Sequence, residues 1–183
     1  YTIKSSGELI VRYNLKPVHA TGVFLDAGIS FVLSPGICNF LWLGDGPFAS
    51  FPDKYLLNDF GIFSLKKEDI NFNGNRSNVE LAALTDNDGN GMAILCNSAN
   101  IAVELSNNWI ILSNNSYVSG VGNKKKKPYT LIEAGKTQEI KGEITIIPLI
   151  AGQWPQKIKD VLGYPDKEAK PFHPFYYSFD TSQ

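Results

Sequence analysis

Val79-Glu80-Leu81-Ala82-Ala83-Leu84-Thr85 and Met92-Ala93-Ile94-Leu95-Cys96 are two apolar runs of strand length, joined by Asp86-Asn87-Asp88-Gly89-Asn90-Gly91. No other feature of the chain constrains its fold as much. Asn, Asp and Gly tolerate the left-handed backbone that a tight reversal needs, so the pattern predicts an antiparallel hairpin. The rest of the chain repeats the theme. Residues 8–15 alternate, with Leu9, Val11, Tyr13 and Leu15 on one side and Glu8, Arg12 and Asn14 on the other, the period of a half-buried strand. Residues 22–33 offer Val23, Leu25, Ile29, Phe31 and Leu33 to a core, interrupted by Gly28, which marks a bulge or a close backbone approach. Ser34-Pro35-Gly36 is a turn. Further strands are expected at 38–43, 100–105 and 109–113, the last two split by Ser106-Asn107-Asn108, and a long one closes the series at 137–149. Strands at this spacing, with turn chemistry between them, predict an all-β antiparallel sandwich.

Residues 54–60 read as one helical turn or a loop, and 65–69 as solvent-facing. Residues 71–78 hold four Asn and are expected to form an exposed loop rather than a core element. After Pro148 the composition shifts. Trp154-Pro155 opens a short amphipathic helix, with Pro155 at a favoured first position and Gly163 as its stop. Ile158, Val161 and Leu162 form its buried side. Residues 164–183 mix prolines and aromatics without periodicity and read as an irregular tail laid over the sandwich. The 183 residues thus divide into a β-sandwich domain over 1–150 and a helix plus tail over 151–183.

Trp42-Leu43-Gly44-Asp45-Gly46-Pro47-Phe48-Ala49-Ser50-Phe51-Pro52-Asp53 follows the apolar run Phe40-Leu41-Trp42-Leu43 and is expected to leave the sheet. Gly44 and Gly46 permit positive φ, and Pro47 and Pro52 remove backbone donors. The result is an aromatic corner at the rim of the sandwich, either a structural plug or a place for function. Charged residues make up 19% of the chain and its net charge is −1, so no charge field is available for nucleic acid or an anionic membrane. No run approaches the roughly 18 apolar residues of a membrane span. Cys38 and Cys96 lie in strand-like context and read as buried free thiols, with a disulfide between them the alternative.

The W-x-G-x-G-P word Trp42–Pro47, followed by Phe51-Pro52-Asp53, resembles the C-terminal domain of bacterial family 2 glycoside hydrolases of the β-galactosidase type. The words around it fit in order and spacing: Ser6-Gly7-Glu8-Leu9-Ile10-Val11-Arg12-Tyr13, Gly28-Ile29-Ser30-Phe31, Leu33-Ser34-Pro35-Gly36, Phe60-Gly61-Ile62-Phe63 and Ser119-Gly120-Val121-Gly122-Asn123. The resemblance covers about residues 7–150. It implies the supersandwich fold also seen in sugar mutarotases. It also implies an architectural role: packing against a separate catalytic barrel, which carries the catalytic glutamates, and bordering its galactoside pocket. The implied partners are that barrel and the other domains of the parent enzyme, a retaining β-galactosidase of bacterial origin, periplasmic or cytoplasmic. Family domains are longer at the N-terminus, so an unpaired sheet edge and homo-oligomers through strand addition are expected. In the family, the loop after the matching glycines reaches the active site and presents an aromatic to the sugar. Here that place holds Lys124 to Lys127, leaving Asn123, Tyr129 and, from the corner, Trp42 as the carbohydrate-proximal candidates.

Other chemistry is poorly supplied. Asp86, Asp88 and Asn90 match the first half of a calcium loop, but its twelfth position is Asn97 where a bidentate Glu is needed, so a hairpin turn is the better reading. Glu80, Glu104, Glu139 and Glu143 alternate with apolar residues and point to solvent, whereas retaining glycosidases need two carboxylates about 5 Å apart. His19 and His173 are poorly placed as bases or metal ligands. No cofactor is expected in this chain. Two alternatives remain: a free-standing carbohydrate-binding module using Trp42 or Trp109 as a stacking platform, drawn from Trp42, Phe48, Phe51, Trp109 and Tyr117, and a mutarotase-like enzyme.

Overall fold

The computed structural model describes residues 1–16, 23–24, 26–70, 74–118, 132–133, 139–151, 156–162 and 170–171. Their strands are β1 (Thr2–Ile3), β2 (Leu9–Leu15), β3 (Val23–Phe24), β4 (Asp26–Leu33), β5 (Asn39–Gly46), β6 (Asp59–Lys66), β7 (Gly74–Thr85), β8 (Gly91–Ser106), β9 (Trp109–Val118), β10 (Ile132–Glu133), β11 (Ile140–Leu149) and β12 (Lys170–Pro171), with one helix, α1 (Gln156–Leu162). Ten strands form one sheet in the order β1-β2-β11-β8-β7-β5-β6-β12, from which β9 and then β4 branch off β8. Every pairing in it is antiparallel except that of β12 with β6. The fold is therefore the expected all-β sandwich with a short C-terminal helix, built by a single sheet curling over itself.

The curl explains the burial of β7. Leu81, Ala82, Ala83 and Leu84 are all buried, although successive strand residues face opposite ways. Ala82 and Leu84 meet Val11, Phe40, Trp42, Ile101, Ile110, Leu112 and Ile144 inside the curl. Leu81 and Ala83 meet Leu43, Ile147, Leu149 and the helix residue Ile158 outside it, with Val161 packed alongside. Burial on both faces requires a continuous apolar run, and 81–84 supplies one. The hairpin forms as its turn chemistry predicts: the Asp86 carboxylate accepts the backbone N–H groups of Asp88 (2.9 Å) and Asn90 (2.8 Å). At the next reversal Asn107 and Asn108 both take positive φ, the conformation a two-residue hairpin loop requires.

Several expectations are corrected. β5 continues through the aromatic corner to Gly46, which still pairs with Asp59 of β6. Neither Gly44 nor Gly46 has positive φ; each is small because a neighbour comes close. A Cβ on Gly44 would lie 2.9 Å from Val79 Cα, and one on Gly46 2.5 Å from the Phe63 ring. Within 71–78, the stretch from Gly74 onward is not an exposed loop but the start of β7, with Asn75 and Arg76 buried. The strands expected at 92–96 and 100–105 are one strand, β8. The run 22–33 divides into β3, which pairs with β10 in a separate two-stranded sheet, and β4, whose register shifts between Ala27 and Gly28 as a bulge there predicts. Residues 55–57 form a turn between a bridge at Lys54 and β6. The tail beyond Pro171 lies outside the described residues.

Candidate functional site: the aromatic corner

Trp42 sits in the middle of β5, paired with Phe63 of β6 and Ala82 of β7. Its ring is fully buried. It stacks on Phe40 at 4.9 Å, lies tilted against Phe63 at 5.5 Å, and donates its indole N–H to Asp45 O at 3.0 Å. The Arg76 guanidinium stands 4.9 Å from the ring centroid. Arg76 is 9% exposed, gives Nη1 to the carbonyls of Gly74 (3.2 Å) and Asn75 (3.3 Å), and leaves Nε without a hydrogen-bond partner. Burial pulls its pKa down to about 10, which leaves it charged at neutral pH. A cation over an indole face in a desolvated setting is an attractive contact, and it ties β7 to the corner.

From Pro47, which follows a cis peptide bond, the chain runs over the rim as a loop stapled by its own polar groups. Asn58 Oδ1 accepts Phe48 N–H at 2.9 Å, Asn58 Nδ2 donates to Ala49 O at 3.4 Å, and Phe51 and Lys54 exchange backbone bonds at 2.9 Å. Asn75 anchors the loop to β7: Ser50 N–H donates to Asn75 O (2.7 Å) and Asn75 Nδ2 to Ser50 O (2.8 Å). Beneath the loop lies an open cavity of about 600 Å³, lined by Phe48, Pro52, Asp53, Tyr55, Leu57 and Asn58 among others. Tyr55, Leu56 and Leu57 line it and are uncovered, Leu56 88% and Leu57 76% exposed, and Phe60 at the start of β6 is exposed as well.

The predicted residues fare differently. Trp42 is a structural plug and has no exposed face. Asn123 and Tyr129 lie outside the described residues, as do Lys124 to Lys127, His19 and His173. Trp109 is 45% exposed on the β8–β9 hairpin, while Phe48, Phe51 and Tyr117 are half-buried. Asp86 and Asn90 hold the hairpin turn together. Hydrogen bonding to its carboxylate, foremost from the Asn90 backbone, lowers the Asp86 pKa. Glu80, Glu104 and Glu143 are exposed, as expected. Cys38 and Cys96 are free thiols. Among the described residues no helix is long and apolar enough to cross a membrane.

Two participants escape the sequence reading: Arg76 and Asn75, hidden by the Asn-rich composition around them. Simple alternation could not have found them: the β7–β8 register shifts between Arg76 and Val79 and again between Val79 and Leu81, and Asn78 takes positive φ.

No curated protein matches the sequence. The family described as beta galactosidase small chain matches over residues 1–140, a span that takes in β1 to β10, the corner and its loop. By that match the chain belongs to the beta galactosidase small chain family.

Proposed function

We propose that this chain is a non-catalytic β-sandwich module of a β-galactosidase-type glycoside hydrolase, which supports a catalytic barrel and borders its sugar pocket. The family match over residues 1–140 is the observation that carries the reading. The distribution of carboxylates agrees with it. Three cavities lined by described residues each carry a single carboxylate there: Asp53 under the corner loop, Glu143 beside β9, and Asp69 next to Arg76. Retaining hydrolysis needs two across the scissile bond. The exposed apolar side chains of Tyr55, Leu56, Leu57 and Phe60 are the kind of surface that a partner domain covers. The buried Arg76–Trp42 contact holds the loop that presents it. In this reading the domain acts by position: it fixes the loops next to the sugar and leaves proton transfer and covalent chemistry to the barrel.

The test is reconstitution. The purified chain alone is expected to release no nitrophenol from a nitrophenyl β-galactoside. Mixed with the rest of its parent enzyme, it is expected to restore hydrolysis. Cleavage by the isolated chain would overturn the proposal.

A further inference from the structure

β8 changes neighbours along its length. Its residues up to Leu95 pair with β11, and those from Asn100 pair with β9. Between these points the sheet forks. Ile140 to Ile144 of β11 pair on one edge with β2, and Tyr117 and Val118 of β9 pair on one edge with β4. No strand among the described residues occupies the edges that face each other across the fork. A cavity of about 320 Å³ opens there, lined by Asn97, Asn100, Asn114, Asn115 and Ser116. That volume is at the small end of ligand sites.

The lining is unusual in its chemistry. Asn115 is only 6% exposed, yet its side-chain amide makes no hydrogen bond among the described residues. Asn114 is 4% exposed; its Nδ2 donates to the Tyr13 hydroxyl at 3.0 Å, but its Oδ1 is buried without a partner. Polar groups this deep ordinarily find partners. The frame around them is fixed. Tyr13 Oη bonds Ser116 Oγ at 2.6 Å, and Asn100 Oδ1 accepts from Asn75 Nδ2 and Ser77 Oγ, both at 3.2 Å. The Asn75–Ser50 bonds then connect the fork to the aromatic corner. The charges at the cavity are engaged elsewhere: Lys141 pairs with Glu139 at 2.7 Å and Glu143 with Arg12. Ala99 is its one apolar side chain among the described residues.

We propose that this fork is a binding site for a neutral polyhydroxyl ligand, a saccharide of one or two residues. An amide side chain presents donors and an acceptor together, as a sugar hydroxyl does. A cluster of amides with idle capacity satisfies hydroxyls without demanding charge. Among the described residues an anion would meet no free cation here, and an apolar ligand no apolar wall. The groove's own groups call for a saccharide; only the choice of galactose as first probe rests on the function proposed above, so glucose is run beside it.

The experiment is a titration of the 15N-labelled 183-residue chain with D-galactose, D-glucose and, as control, glycerol, following the side-chain amide signals. With galactose or glucose, saturable shifts of the Asn97, Asn100 and Asn115 amides are expected at roughly millimolar affinity. Asn115→Ala and Asn97→Ala are expected to weaken binding about tenfold or more. Asn97 is exposed, so its variant keeps the test interpretable if the Asn115 variant fails to fold. Shifts that stay linear and match those of glycerol would overturn the proposal, as would saturable binding untouched by either variant. A chain that binds sugar at the fork but fails to reconstitute hydrolysis refutes the architectural reading alone; one that reconstitutes but binds no sugar refutes this inference alone.

Discussion

Trp42 shows how much one side chain can carry in this fold. It fills the interior between β5, β6 and β7 and holds Phe40, Phe63 and Arg76 in contact. Trp42→Ala leaves a large cavity and is expected to cost about 3–5 kcal/mol, read as a lowered denaturation midpoint of the isolated chain. Cys96 makes a second residue-level case. Burial pushes its thiol up to about 12, so the reactive thiolate is scarce at neutral pH. Native protein treated with iodoacetamide near pH 8 is expected to stay unmodified at Cys96 by mass spectrometry, and to label there in denaturant. Glu139 is the third. Lys141 first, then Lys16 and Asn14, hold its carboxylate down to about 2 from 4.5. Because the folded-state value lies below the unfolded one, the stabilisation is complete above pH 4.5 and lost as pH falls toward 2. In acid unfolding, Glu139→Gln is expected to be less stable than the parent above pH 4.5 and to converge with it near pH 2. Added salt should narrow the gap, since these are surface pairs.

At the scale of elements, β8 decides the architecture. Its 16 residues are long enough to serve two sheet regions, and β9 and β4 follow it away from β11. Gly28 sits where that branch bends. A Cβ there would stand 2.0 Å from Asn114 O and 2.6 Å from Asn115 Cα, so β4 and β9 would have to part. Gly28→Ala is expected to destabilise the chain by at least about 1–3 kcal/mol. It should also disturb the amide signals of Asn114 and Asn115 more than those of the distant β7–β8 hairpin, which the same spectrum reports. The hairpin and the bulge could be expected from the sequence because each depends on local chemistry: turn residues in one case, an interrupting glycine in the other. The fork could not, because it depends on which strands sit on either side of β8, and pairing partners leave no mark in a single sequence.

For the whole molecule, the question is what covers the corner. Leu56 and Leu57 contribute little to either core yet stand well exposed. In the function proposed here they meet another part of the enzyme. Leu56→Glu with Leu57→Glu is expected to change the stability of the isolated chain by no more than about 0.5 kcal/mol each, while sharply reducing reconstituted activity. Unchanged reconstitution would place the contact elsewhere.

The sequence by itself determined the class of fold, the main hairpin, the short helix and the family, because alternation, turn chemistry and ordered motif words are written locally. Tertiary structure alone decided that Trp42 is sealed in rather than presented, that Gly44 and Gly46 serve close packing rather than a turn, and that an Asn-rich stretch begins a buried strand. In each case the deciding quantity is the distance to a partner far along the chain, and that distance exists only after the sheet has curled.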